Sequence, residues 1–248
     1  MQREKLLSYL NQLLSIDLFY DYCPLGLQVE GKENVIKIVT AVTASLRAID
    51  FATKHNADML LVHHGIFWKN EADIVIGWKR KRLKKILEFD LNLVAYHLPL
   101  DAHPELGNNA QLAEKMQWKC EKITGEQGLL CVGELNNRMS LRNLEMQLER
   151  VLKRKPLVIG QPNKEIKKIA WCTGGGQNFF LEAIAQGVDV FVTGEVSEAQ
   201  YHFANETDVA FVSAGHHATE RYGIWALGAH IHRKFNLEVI YFDEENPI

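Results

Sequence analysis

Five residues stand out for the chemistry that their types and spacing allow: His63, His64, Asp101, His216 and Glu220. His63 and His64 follow the apolar run ADMLLV and precede Gly65. Neighbouring residues on a strand point to opposite faces, so both rings can serve one site only if the strand stops there and the chain turns. Adjacent imidazoles could then each bind a different metal ion, although the dipeptide alone reads equally well as two polar residues at a strand end. HLPLDAH brings His97, Asp101 and His103 close together. Pro99 argues against a regular helix, so Asp101 is expected on a loop, where a carboxylate can bridge two ions. His103 is expected to face solvent. In GHHATE, His216 and Glu220 are four residues apart and share one face of a helix that begins after Gly215, a spacing suited either to a metal-binding pair or to a capped helix start. His217 would point elsewhere. Three imidazoles and two carboxylates form a ligand set for two divalent ions (Fe, Zn, Mn or Mg), with positions left open for water. His97 fits as a partner to a ligand or as a proton shuttle.

These side chains need elements to position them. Leu6, Leu7, Leu10, Leu13 and Leu14 recur at helical spacing near the N-terminus. Strands are predicted over VIKIVTAV (Val35 to Val42), ADMLLV (Ala57 to Val62) and LNLVAY, which ends at His97. Ser45 heads a helix between the first two strands, and WKRKRLKKILEF reads as another helix. The second half repeats the plan: KKIAWC, a TGGGQ turn, a helix ended by Gly187, then the strands VDVFVTG and VAFVSAG. Lys37 and Lys168, like Asp58 and Asp189, match at one offset, and His97 with His216 and Asp101 with Glu220 match at a second. Duplication of one strand-helix-strand unit explains this. The expected fold is α/β, with two similar lobes of mainly parallel sheet flanked by helices, residues 1–118 and 119–248. Residues 119–161 are expected to connect them. Ligands of such sheets bind beyond the carboxyl ends of the strands, and His63, His64, His97, His216 and Glu195 all fall just past a predicted strand.

The chain has 248 residues and a formal net charge of −3, so its surface as a whole is not basic and no nucleic-acid partner is demanded. Its four cysteines form no C-x-x-C pair, and no secretory signal is evident; reduced thiols in the cytoplasm are expected. No apolar run is long enough to span a membrane. TGGGQ could cradle an anion on its N–H groups, but it lacks the spacing of a P-loop and fits a tight strand-to-helix turn better. The basic stretch at 79–85 fits a solvated helix face or a surface that attracts phosphate.

DYCPLGLQVEG (Asp21 to Gly31), VHHGIFW, HLPLDAHPELGNN, WCTGGGQ, VTGEVSE and AGHHATER occur in this order over nearly the whole chain. Together they resemble the Nif-three-like family, whose members often bear the name GTP cyclohydrolase I type 2 homologue. The resemblance implies two α/β lobes, a toroidal homohexamer and a dinuclear metal centre with His63, His64, Asp101, His216 and Glu220 as ligands. Two functions follow as expectations. One is metal-dependent hydrolysis of a nucleotide or related phosphate-bearing small molecule. The other is a metal-containing ring that binds single-stranded nucleic acid or a protein without catalysis.

Overall fold

The computed structural model describes residues 1–248. It divides into two compact units, Met1–Leu100 with Ile224–Glu245 and Asp101–Gly223 with Asn246–Ile248. Compared with the division expected at 118/119, residues 101–118 group with the second unit, and residues 224–245 return to the first sheet through the chain's last strand.

Unit 1 holds a five-stranded sheet in the order β1-β4-β3-β2-β11, formed by β1 (Gly26–Val29), β2 (Lys37–Thr43), β3 (Met59–His64), β4 (Asn92–Ala95) and β11 (Glu238–Tyr241). β2, β3, β4 and β11 run parallel, and β1 closes one edge antiparallel to β4. β4 and all of β3 except His64 are buried, as strands covered on both faces must be. Its helices include α1 (Arg3–Leu13), α2 (Leu46–Lys54) and α3 (Gly77–Glu88). Leu6, Leu7 and Leu10 form the buried stripe of α1. Ser45 caps α2 as expected, its hydroxyl accepting the Ala48 N–H at 3.0 Å. Ile49 and Ala52 of α2 pack with Leu60, Val62, Ile86 and Leu93 in one core cluster.

Unit 2 holds a six-stranded sheet in the order β5-β6-β8-β9-β10-β7. Its strands are β5 (Trp118–Thr124), β6 (Leu130–Ser140), β7 (Leu157–Ile159), β8 (Glu165–Cys172), β9 (Val190–Thr193) and β10 (Ala210–Ser213). The parallel core β8-β9-β10 is the predicted one. β5, β6 and β7 pair antiparallel around it and come from residues 118–159. The segment expected to be a connector is therefore built into the sheet. β5 exposes five of its seven residues in succession, so it lacks the alternation that marks a half-buried strand. Helices α4 (Leu98–Ala102), α5 (Asn108–Met116), α6 (Leu141–Leu152), α7 (Phe180–Ala185), α8 (Glu198–Glu206) and α9 (His216–Phe235) complete the chain. No helix is long and apolar enough to cross a membrane.

The repeat has a physical signature. In unit 1 an Asp58 oxygen accepts the backbone N–H groups of Ile36 and Lys37 at 2.8 and 3.0 Å. In unit 2 an Asp189 oxygen accepts those of Lys167 and Lys168 at 2.8 Å each. Each aspartate pins the start of the first parallel strand to the start of the second. Ile38 pairs with Met59, and Ile169 with Val190, in matching register. In the third strand Asn92 and Ala210 are equivalent, opposite Met59 and Val190. That frame places Tyr96 with Ala214, so the alignment of His97 with His216 needs one inserted residue, Gly215, whose φ is +101°.

Asp58 also bonds Lys32 at 2.8 Å. Burial raises its pKa, but Lys32 and the two N–H groups outweigh burial and hold the carboxyl below its ordinary value. Asp58→Ala is expected to lower the unfolding free energy at neutral pH by about 1–3 kcal/mol. Because the folded pKa is depressed, this difference should be full above about pH 4 and fade as pH falls through the lower folded value. Urea titrations of both proteins across that range check the sign. A difference that grows on acidification would overturn the assignment.

Candidate functional site

In unit 1 three imidazoles gather at the carboxyl ends of β3 and β4. The ligand atoms of His63, His64 and His97 lie within 4.8 Å of one another. The rings of His63 and His64 stand 4.5 Å apart, although strand alternation alone would part them. The strand ends at His64, and Gly65 follows because the Gln28 side chain lies against it: a Cβ there would meet Gln28 Oε1 at 2.2 Å. That same oxygen accepts the Ile66 N–H at 2.9 Å, which fixes the turn.

Each ring is held through Nδ1. His63, fully buried, bonds the Tyr96 carbonyl at 3.0 Å. A carbonyl only accepts, so Nδ1 carries a proton in this bond. His64 Nδ1 lies 3.1 Å from Thr43 Oγ1. His97 Nδ1 lies 2.7 Å from Asp21 Oδ1, while the other Asp21 oxygen accepts the Leu98 N–H at 2.8 Å. Burial pushes the Asp21 carboxyl up, but His97 and the backbone bonds outweigh it and hold the group below its ordinary pKa. Asp21 was not a predicted site residue; DYCPLG reads as an ordinary turn, and no local pattern links it to a histidine 76 residues away. The Trp68 ring meets His97 edge-on at 5.2 Å, forming an apolar wall beside the imidazoles.

Unit 2 supplies carboxylates. Asp101 lies on the short helix α4 and not on the expected loop. Pro99 fits there because a first-turn residue has no intrahelical N–H bond to lose. Asp101 is buried and accepts Asn108 Nδ2 at 2.8 Å and the Thr173 hydroxyl at 3.4 Å. A carboxylate oxygen of Asp101 and one of Glu220 approach within 4.8 Å. His216 opens α9 as predicted, and its Nε2 stands 3.0 Å from Glu220 Oε2, one turn on. Its Nδ1 is 2.7 Å from Glu195 Oε1, which makes Glu195 the oxygen partner of this ring. Burial lowers the pKa of His216, but Glu220 and Glu195 outweigh it and lift the group to about 9. Acids packed this closely favour a nearby cation. His217 is buried on a different side of the helix start. His103 uses Nδ1 to accept the N–H groups of Glu105 and Leu106, a turn-capping role.

Two other sequence features find structural uses. The TGGGQ turn spends its first N–H groups inside the fold: Thr173 donates to Asn109 Oδ1 at 2.9 Å and Gly174 to Thr219 Oγ1 at 3.0 Å. They are therefore not an anion cradle. In the basic helix α3, Lys79 is buried and paired with Glu71 at 3.1 Å, Lys85 pairs with Asp50, and Arg82 lies over the Trp78 ring. Arg80 and Lys81 are exposed.

Gly174 has φ +63°, and a Cβ there would meet Glu220 Oε1 at 1.8 Å and His216 Nε2 at 3.2 Å. Gly187 has a similar φ of +69° with open space around it. Alanine at either position carries the left-handed cost of about 1–2 kcal/mol. Gly174→Ala should cost about 1–3 kcal/mol more than Gly187→Ala, because it also displaces packed side chains. Denaturant unfolding of the two variants measures the difference; equal losses would mean that Glu220 is not held against the turn.

Comparison with known proteins places this geometry. The family model Duf34/NIF3 (NGG1p interacting factor 3) matches residues 1–247. A Neisseria meningitidis serogroup A protein named GTP cyclohydrolase 1 type 2 homolog is 57% identical over 245 residues, covering 99% of this chain and 98% of that protein. A solved structure described as protein ybgI, of unknown function, is 47% identical with a TM-score of 0.95 over 100% of both chains. TTHA1606 from Thermus thermophilus is 31% identical with a TM-score of 0.88, again over 100% of both chains. The chain therefore belongs to the DUF34/NIF3 family.

Proposed function

We propose that this protein is a metal-dependent hydrolase of a nucleotide or related phosphate-bearing small molecule, with His63, His64, Asp101, His216 and Glu220 as ligands of two divalent ions. The observation that supports it most is the shared tethering of the candidate imidazoles. His63, His64, His97 and His216 each engage an oxygen through Nδ1, and every partner is at least 21 residues away in sequence. Such outer partners orient a ligand ring and set its tautomer, leaving Nε2 for the metal. Imidazole and carboxylate donors suit Zn, Fe or Mn, and carboxylates also suit Mg. Two ions held this way would polarise a phosphoryl oxygen and acidify water. The two carboxylates offset only part of the charge of two divalent ions, which favours an anionic substrate. His97, oriented by Asp21, is the residue suited to accept and return a proton at Nε2. The name of the Neisseria relative also points toward nucleotides. The working assembly is a ring of six in the cytoplasm.

Metal content by elemental analysis is expected to fall at least several-fold in His64→Ala, Asp101→Ala and Glu220→Ala while circular dichroism stays native. His103→Ala and His217→Ala should keep near wild-type metal. Wild-type loading in the first three would remove the ligand assignment. Turnover of a nucleotide and phosphoester panel by the metal-loaded protein, lost in Asp101→Ala, tests hydrolysis; a fully loaded protein inert toward the panel would count against it. Light scattering at micromolar protein should return six times the chain mass, and a monomeric mass would exclude the ring.

A further inference from the structure

Apart from the metal donors, unit 2 holds a second reactive group. A cavity of about 450 Å³ is lined by Cys120, Cys131, Trp171, Asn109, His103 and Asp101 among others. Both cysteines are free thiols; Cys120 is exposed and Cys131 is buried. They lie on the antiparallel neighbours β5 and β6. Cys120 stands opposite Gly133, Cys131 opposite Ile123, and the register slips between Cys120 and Lys122. Residues two apart on a strand share a face, so Cys120 and Cys131 are diagonal neighbours on one face. The residue directly opposite Cys120 is a glycine because nothing else fits: a Cβ at Gly133 would meet the Lys119 carbonyl oxygen at 1.8 Å. With that position empty, no side chain stands opposite Cys120 on this face, and both thiols line the cavity.

We propose that Cys120 and Cys131 are a thiol–disulfide exchange site for low-molecular-weight disulfides of the glutathione type, closing a reversible disulfide in the wall of this cavity. The chemistry of each sulfur suits its step. The hydrogen bond from Cys131, together with bonds from the Lys122 and Val132 backbone, brings the Cys120 thiol down to about 7 against the opposing effects of burial and of Glu121. Lys119 engages Glu121 at 3.0 Å, which blunts that opposition, while Lys122 is turned to Gln186. Cys120 is thus an exposed thiolate near neutral pH, the form that attacks. It attacks one sulfur of the small disulfide, whose S–S bond breaks to release one small thiolate and leave a mixed disulfide on Cys120. The Cys131 thiol is held well above its ordinary pKa, first by its bond to Cys120, then by burial and by the Cys120 charge. Capping Cys120 removes the first and third of these. Cys131 then releases its proton, attacks the Cys120 sulfur and expels the second small thiolate. The two protein thiols are oxidised to one disulfide, and the small disulfide is reduced to two thiols. The proposal does not depend on the metal reading.

Trypsin cuts after Lys119, Lys122 and Arg138, so the two cysteines fall on separate peptides. Treatment of the intact protein with oxidised glutathione should yield one cross-linked peptide pair joining Cys120 and Cys131, which separates on adding dithiothreitol. Cys131→Ser should stop at a stable glutathione adduct on Cys120, and its reaction rate should reach half-maximum at higher pH than in wild type, nearer 8.5 than about 7. Cys120→Ser should leave Cys131 unmodified. A wild-type protein that stops at the glutathione adduct, or that links either cysteine to Cys23 or Cys172 instead, would overturn the pairing. An unshifted pH midpoint in Cys131→Ser would overturn the role given to the hydrogen bond.

Discussion

A histidine offers a cation only one ring nitrogen at a time, and the state of that nitrogen is set by what the other touches. In this chain four imidazoles share one solution: Nδ1 is occupied by an oxygen brought from far along the chain. The partners are Thr43 for His64, the Tyr96 carbonyl for His63, Asp21 for His97 and Glu195 for His216. Other histidines also use Nδ1, but locally. His55 bonds the carbonyl four residues before it and His232 the one five residues after it. Local bonds finish helix ends; the distant ones hold a ring at a chosen place and angle, at the carboxyl ends of parallel strands.

The same frame appears twice and is filled differently. An aspartate at the start of the second parallel strand pins the start of the first in each unit, Asp58 in one and Asp189 in the other. At the strand ends, β3 and β4 of unit 1 present the imidazoles of His63, His64 and His97, whereas β9 and β10 of unit 2 are followed by Glu195 and by His216 with Glu220. The repetition departs in two places: the connection from the second to the third parallel strand is shorter in unit 2, and past the third strand Gly215 is inserted, whose left-handed φ of +101° lets the chain turn directly from β10 into α9. A duplicated scaffold has thus kept its backbone bonds while diverging in the side chains that carry charge.

Much of this was legible in the sequence because it is periodic or local. The strands of both parallel cores carry short apolar runs, Ser45 marks a helix start, and His216 and Glu220 are four apart on one helix. What was not legible depends on tertiary structure. Strands β5 and β7 bury little of themselves, and β6 buries only its first half, so their own sequence carries little pattern. The closure of the first sheet by β11 cannot be read from EVIY, which is short and only partly buried. Asp21 stands out only once the ring it touches is in place, since an aspartate in a turn is an ordinary residue; Glu195 was marked by its place past a predicted strand, but not as the partner of His216. Asp101 was expected on a loop and lies on a helix, because a proline excludes a helix interior but not a first turn.

The choice of partner also separates the roles of rings that look alike in the sequence. The carbonyl beside His63 accepts a proton-bearing Nδ1 and carries no formal charge. Asp21 beside His97 brings a full negative charge, held below its ordinary pKa, which compensates an imidazole that gains a proton. The two rings thus meet partners of different charge, a neutral carbonyl for His63 and a carboxylate for His97. The contrast therefore comes from Tyr96 and Asp21, distant in sequence from each other, and not from any difference in the rings themselves.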